Sequence, residues 1–133
     1  SPYCYLFAQG ELGDAQICIG NNVGLNYNVM INADCGGSIQ IGDDVSIGPY
    51  TVIRASNHNF ERIDIPIKAQ KHVPGTIVIE PDVLIGAHVV ILPNIKIGHS
   101  SVIGAGSIVT KDIPPFSVVV GNPARIIKNR KIS

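Results

Sequence analysis

The sequence predicts an all-β solenoid whose sides are six residues long. Its 133 residues include 22 Ile and 14 Val but only 5 Leu, and β-branched side chains lose rotamer freedom in helices but pack well on a pleated surface. Aliphatic residues recur every six positions, which fits neither the spacing of a helical stripe nor the alternation of one long strand. The 14 Gly and 9 Pro indicate that the chain turns often.

The repeat consists of eleven six-residue segments, each beginning with Ile or Leu. They start at Ile19, Leu25, Ile31, Ile41, Ile47, Ile53, Ile79, Ile85, Ile91, Ile97 and Ile103. The fifth residue is small or β-branched in ten of them, and the first and fifth side chains of a short strand point to the same face. Since one such side cannot bury its face alone, the coils must stack with their aliphatic residues in columns.

Length and charge narrow the class of protein. A chain of 14.1 kDa predicts one domain over residues 1–133 and excludes a second large one. Hydrophobic residues at 45% and charged residues at 15% exclude disorder. Ten bases balance ten acids, which argues against a generally basic nucleic-acid-binding surface. Five of the bases lie in residues 111–133, beside a single acid.

The cysteine content and the lack of a long apolar run indicate the cellular compartment. Cys4, Cys18 and Cys35 are odd in number and lack the CxxC spacing of metal or redox motifs. The sequence shows no signal-peptide pattern and no apolar run of membrane-spanning length. We therefore expect a reduced, cytoplasmic, soluble protein without a membrane span.

The repeat is interrupted at three places. A short slip between Ile31 and Ile41 indicates a small corner insertion. After His58 the period is lost over residues 59–72, which predicts a loop projecting from the solenoid, a frequent place for function. Near the C-terminus, Asn122 as N-cap and Pro123 as first helical residue predict a short helix within residues 121–133.

From about residue 13 to residue 125, the repeat resembles that of the hexapeptide acyltransferases. The chain is most similar to the sugar and polysaccharide O-acetyltransferases of the galactoside and maltose type. This resemblance implies a left-handed parallel β-helix with three hexads per coil. It also implies a homotrimer with active sites between subunits and acetyl-CoA as the acyl donor.

His58 is the predicted catalytic base. A single His in a turn is usually a surface residue, but residues 56–60, Ser-Asn-His-Asn-Phe, precede the loop and resemble the segment that carries the base in these enzymes. An imidazole exchanges its proton at about pH 6.5 and can take and return a proton near neutrality. The resemblance implies direct acetyl transfer to a sugar hydroxyl in a ternary complex.

The same resemblance implies a donor site for acetyl-CoA. The matching positions are Ala87, Ala105, Thr110, Lys111, Arg125 and Lys128. Small side chains at 87 and 105 would let the pantetheine arm approach the backbone, and the bases would pair with its phosphates. The plain alternative for the C-terminal bases is a solvated tail.

The acceptor is less well defined. Asn28 matches a position that helps to hold the acceptor sugar, although an Asn at a corner is equally explained as a turn former. Many relatives have Trp where this chain has Leu84, so a stacking surface near the reaction centre is absent, which leaves the identity of the acceptor more open than the reaction.

Two other functions fit the same repeat. One is transfer to the amine of an amino sugar, including nucleotide-linked sugars, and the other is a non-catalytic β-helix acting as a scaffold or binding module. A metal enzyme is disfavoured because His58, His72, His88 and His99 lack ligand spacing. A serine nucleophile is disfavoured because there is no GxSxG motif.

Overall fold

The chain winds through three stacks of parallel strands, visiting each stack in turn. The structure is a computed structural model that describes residues 3–9 and 14–132. Residues 1, 2, 10–13 and 133 of the predicted domain lie outside the described residues. The all-β prediction is confirmed, and three parallel sheets are consistent with a left-handed β-helix.

Each complete coil contributes one short strand to every sheet. Sheet 1 contains β2 (Gln16–Ile19), β5 (Ser38–Ile41), β10 (Thr76–Ile79) and β13 (Lys96–Ile97). Sheet 2 contains β3 (Gly24–Leu25), β6 (Ser46–Ile47), β11 (Leu84–Ile85), β14 (Val102–Ile103), β16 (Ser117–Gly121) and β17 (Ala124–Asn129). Sheet 3 contains β1 (Tyr5–Phe7), β4 (Met30–Asn32), β7 (Val52–Arg54), β12 (Val90–Ile91) and β15 (Ile108–Val109).

Two further strands form a separate hairpin outside the three stacks. They are β8 (Ser56–His58) and β9 (His72–Pro74), which pair antiparallel. A single 3₁₀ turn, Ile67–Ala69, lies in the loop between them. Within residues 3–9 and 14–132, no helix is long and apolar enough to cross a membrane.

The strand register reproduces the six-residue repeat. Ile85 pairs with Ile103, one coil of 18 residues further on, and also with Ile47 in the preceding coil. The same alignment joins Ile41 to Ile79 in sheet 1. The first residues of the hexads therefore form three columns, as the sequence predicts.

These columns form a large part of the hydrophobic core, together with buried fifth-position residues such as Val45, Val83 and Val89. Every first-position Ile from Ile31 to Ile103 is at most 3% exposed. Ile19, at 38%, and Leu25 lie on strands at the edges of sheets 1 and 2 in the described part of the chain, so only one side of each is covered. Burial of an aliphatic side chain stabilises the fold by roughly 1.5–3 kcal/mol. Only a coil with a neighbour on each side gains this stabilisation in full.

Buried hydroxyls and glycines fix the corners. Thr51, fully buried, donates to the carbonyl of Gly86 at 2.8 Å and accepts from the Val89 amide at 3.2 Å. A Cβ on Gly48 would lie 2.6 Å from the Ala87 nitrogen in the next coil. Side chains at this row would push successive coils apart, which explains the preference for Gly directly after the aliphatic residue.

The predicted C-terminal helix is wrong, because residues 124–129 form strand β17. Gly121, at φ +106°, and the cis Asn122–Pro123 bond belong to the turn that reverses the chain against β16. The signals at 122 and 123 are local, whereas Ile126 and Ile127 favour a strand and the edge of β16 supplies hydrogen-bonding partners. The chain gains a sheet ladder that an isolated short helix lacks.

Replacing one column residue is expected to destabilise the whole solenoid. Ile53→Ala empties a fully buried position between two coils and should lower the free energy of unfolding by about 2–5 kcal/mol. The matched control is Ile63→Ala, because Ile63 is 100% exposed and should change stability by about 0.5 kcal/mol or less. Urea unfolding followed by circular dichroism at one protein concentration measures both. Equal losses would contradict the stacked core.

Candidate active site

The residues predicted to bind the donor and the acceptor are distributed over two corners of the solenoid and strand β17. Corner 2–3, which leads from sheet 2 to sheet 3, carries Asn28, Ala87 and Ala105. Successive coils are joined there by backbone hydrogen bonds, such as that from Gly106 N–H to the Ala87 carbonyl at 2.9 Å. Ala87 and Ala105 therefore occupy equivalent places in adjacent coils.

This corner leaves its backbone open. A Cβ on Gly86 would lie 2.7 Å from the Ala105 nitrogen, so the two coils are in close contact. Ala105 is exposed and Ala87 is half-buried. Both carry only a methyl group, and an extended ligand can reach the main chain along this row.

Arg125 and Lys128 continue this surface on strand β17. Arg125 pairs with Val120 and Lys128 pairs with Val118, and a register shift lies between them. Because Val118 and Val120 are two residues apart on β16, they point to one face, and their cross-strand partners share that face. The extra residue of the shift thus brings two bases onto the outer face, where Val120 packs beside Gly104.

The other C-terminal bases are held elsewhere. Arg130 donates from Nη1 to the Ser100 carbonyl at 2.6 Å. Lys131 places its ammonium 4.2 Å from the centre of the Phe116 ring, a cation–π contact. The basic C-terminal segment is therefore partly fixed to the solenoid.

Thr110 and Lys111 lie at a different corner from the alanines. They follow β15 at corner 3–1, which leads from sheet 3 back to sheet 1, and both are exposed. The next residue, Asp112, accepts from the Lys96 amide at 2.8 Å and fixes the turn. One side of a single coil, strand β15, thus separates Ala105 from Thr110.

His58 also lies at corner 3–1, at the end of β8. It is exposed and directly opposite His72, the first residue of β9. The two rings are 4.2 Å apart between centroids, with an angle of 41° between their planes. The predicted loop is thus the tip of a β-hairpin, and His72 belongs to its second strand. An exposed imidazole at this place is accessible to a ligand.

Gln70 closes the loop beyond the hairpin. Its side chain is 8% exposed, accepts from the Arg62 amide at 3.1 Å and donates to the Arg62 carbonyl at 2.9 Å. Nearby, the Asn59 amide donates to the Lys71 carbonyl at 2.8 Å. At the tip, the Arg62 guanidinium holds the pKa of the Asp64 carboxyl below its ordinary value.

Asn28 has a clear structural role in its corner. Its φ is +54°, and its amide donates to the Tyr3 carbonyl at 2.7 Å. Asn tolerates this left-handed conformation better than most residues. Its role in acceptor binding stays a prediction.

Asn26, which the sequence analysis did not single out, lies beside an open depression. Asn26, Tyr27 and Leu84 line a hollow of about 510 Å³ on the outer face of sheet 2, whose floor includes Gly24 and Ser46. In its corner row, Asn26 stands where the following coils have Gly48, Gly86 and Gly104. A polar side chain in a row of glycines was the signal available in the sequence.

The remaining histidines pack against aromatic rings. His88 stacks on Tyr50 with centroids 5.1 Å apart, and His99 meets the Phe116 ring edge-on at 4.9 Å. Among the described residues, no group of three or more His, Cys, Asp or Glu side chains is arranged to hold a metal ion.

The repeat and this arrangement of corners define a hexapeptide-repeat protein, and comparisons with known proteins identify the family. Residues 76–111 match the family model described as bacterial transferase hexapeptide, six repeats. A hexapeptide-repeat-containing acetyltransferase from Vibrio cholerae superposes with a TM-score of 0.80 at 36% identity, over 98% of this chain and 69% of that one. The chain belongs to the hexapeptide-repeat acetyltransferase family, close to the galactoside and maltose O-acetyltransferases.

Two relatives connect the family to a donor and an acceptor class. The galactoside O-acetyltransferase of Escherichia coli K12 is 41% identical over 119 residues, which are 86% of this chain and 54% of that protein. A galactoside acetyltransferase solved in complex with coenzyme A superposes with a TM-score of 0.79 at 38% identity, over 96% of this chain and 64% of that one. The chain thus spans about half the length of the first relative.

Gln70 is expected to hold the loop closed without supporting the rest of the fold. Gln70→Ala leaves two backbone groups of Arg62 without partners, at a local cost of about 1–3 kcal/mol, so amide exchange within residues 59–71 should accelerate about tenfold or more. The urea midpoint should not change. Hydrogen exchange with mass spectrometry measures the loop, and Lys68→Ala, an exposed residue of the same loop, is the control. Unchanged exchange in Gln70→Ala would contradict this role.

Proposed function

We propose that this chain transfers an acetyl group from acetyl-CoA to a hydroxyl of a sugar or polysaccharide precursor. The observation that carries the proposal is the division of the site between two corners. His58, Thr110 and Lys111 lie at corner 3–1, whereas Asn28, Ala87 and Ala105 lie at corner 2–3. A left-handed β-helix in a homotrimer would join corner 3–1 of one subunit to corner 2–3 of the next and complete one site.

The donor lies along the small residues and ends at the bases. The backbone beside Ala87 and Ala105 binds the pantetheine arm, and Arg125 and Lys128 pair with the phosphates. The galactoside acetyltransferase with bound coenzyme A supports this assignment through its similarity to this chain.

The reaction is a direct transfer in which His58 acts twice. Its imidazole removes the proton from the acceptor hydroxyl, and the oxygen attacks the thioester carbonyl carbon. Backbone N–H groups near Ala87 stabilise the negative charge on the carbonyl oxygen. The carbon–sulfur bond then breaks, and the proton passes from His58 to the leaving thiolate, so free coenzyme A and the acetylated sugar are formed.

The acceptor occupies the depression on sheet 2. Its lining includes the small residues Gly24, Ser46 and Gly48 as well as Asn26, Tyr27 and Leu84. Hydroxyl acceptors are favoured because the relative at 41% identity is named a galactoside O-acetyltransferase. A cytoplasmic location stays a prediction.

A panel of hydroxyl and amino sugars tests the reaction. With acetyl-CoA, we expect thiol release to depend on a hydroxyl sugar or oligosaccharide, and His58→Ala should reduce the rate about a hundredfold or more because the base is lost. The control is His99→Ala, since His99 packs on Phe116 at another corner, and its rate should stay within about twofold. Turnover of amino sugars alone would replace O-transfer by N-transfer, and full activity in a folded His58→Ala variant would remove His58 from the mechanism.

A second prediction isolates the phosphate contacts of the donor. Arg125→Ala should weaken coenzyme A binding about three- to tenfold. The loss should be larger at low salt, because added salt screens the attraction between the guanidinium and the phosphate. Transfer from a short acetyl thioester without phosphates should be unaffected. Calorimetry gives the affinity, and Lys68→Ala, a base outside the row, is the control. Equal losses with both donors would show that Arg125 does not act on the phosphates.

A further inference from the structure

The second histidine of the hairpin, His72, has no assigned role. It lies directly across the strand pair from His58, and cross-strand neighbours are the residues that restrict each other most in a two-stranded ribbon. The ring centroids are 4.2 Å apart, which is contact distance for two five-membered rings. His72 is half-buried, whereas His58 is exposed.

This ring contact restrains the His58 side chain. Among the described residues the structure records no hydrogen bond to either nitrogen of its imidazole, and His72 is the ring it touches. An exposed side chain without such a neighbour samples several staggered rotamers. The wall formed by His72 removes part of that freedom.

The wall itself is held in place independently of His58. Asn59 donates to the Lys71 carbonyl at 2.8 Å one residue beyond the pair, and Gln70 clamps both backbone groups of Arg62. β9 then continues into β10 of sheet 1 through Gly75, where a Cβ would lie 2.7 Å from the Asn94 carboxamide oxygen. The backbone that carries His72 is therefore anchored on both sides.

We infer that His72 is a positioning residue that packs against the His58 imidazole and orients it toward the acceptor hydroxyl. The inference rests on the proposed function of His58 as the base. A base must lie within hydrogen-bonding reach of the proton that it removes, and small displacements of a reacting group are costly in rate. His72 acts through the flat surface of its ring, which packs against His58, and its nitrogens are not required. A phenyl ring would give the same packing surface without a nitrogen.

Two substitutions at position 72 separate packing from chemistry. His72→Ala should lower kcat about tenfold and leave KM for donor and acceptor within about twofold, because orientation is lost and binding is not. His72→Phe should restore kcat to within about threefold of the wild type. The matched control is Val73→Ala, because Val73 follows His72 on the same strand, points to the opposite face and is 49% exposed. Its kcat should not change.

Wild-type kcat in His72→Ala, or a His72→Phe variant as slow as His72→Ala, would overturn the inference. NMR of the His58 ring protons gives a second readout that needs no activity. Their ring-current shifts should be lost in His72→Ala and retained in His72→Phe, and identical spectra in all three proteins would also overturn it. Full activity of His58→Ala in the same assay would instead remove the proposed function, so the two failures are distinguishable.

Discussion

The structure depends on the contact between aliphatic side chains of successive coils. A side of six residues buries its Ile largely against the Ile above and below it, as Ile47, Ile85 and Ile103 do in sheet 2. This contact fixes the register of the parallel strand pairs and hence the place of the corner residues between them. Ala87 and Ala105 are neighbours in space because Ile85 and Ile103 are neighbours in the core. A row of equivalent positions is thus a by-product of packing and is available for binding an extended ligand.

The same constraint explains where the chain can depart from its repeat. Extra residues inside a side would break a column, whereas extra residues at a corner leave all columns aligned. Corner 3–1 carries both the short insertion before Ser38 and the long hairpin. The hairpin has to supply its own hydrogen bonds, which β8, β9 and Gln70 do. His58 therefore lies at the outer end of a hairpin whose base joins the core at Ala55 and Ser56, and local contacts orient it there.

The parts of the structure that sequence could predict are those that the period determines. The Ile columns, the corner insertion between Ile31 and Ile41 and the site of the long loop follow from counting by six. The pairing of His58 with His72 has no period, since it depends on where a loop of irregular sequence happens to close. Gln70 likewise looks like any polar residue until its partner, the Arg62 backbone, is known. A contact that occurs at one place only is not visible in a repeating sequence pattern. The contacts around the candidate base, His58, are of this kind.

In the C-terminal segment the predicted helix is wrong, but Arg125 and Lys128 still share one face, as a helix would have placed them. A helix would have placed Arg125 and Lys128 on one face, because residues three apart are neighbours on a helix. In a regular strand the same spacing would put them on opposite faces. Ile127 is an extra residue in β17, because Val118 pairs with Lys128 and Val119 pairs with Ile126. This insertion returns Arg125 and Lys128 to the same face of the strand, where they lie beside Val120 and Val118. The concentration of bases in residues 111–133 thus becomes a paired arrangement on the outer face, next to the corner that carries Ala105, and a bulge rather than a helix produces it.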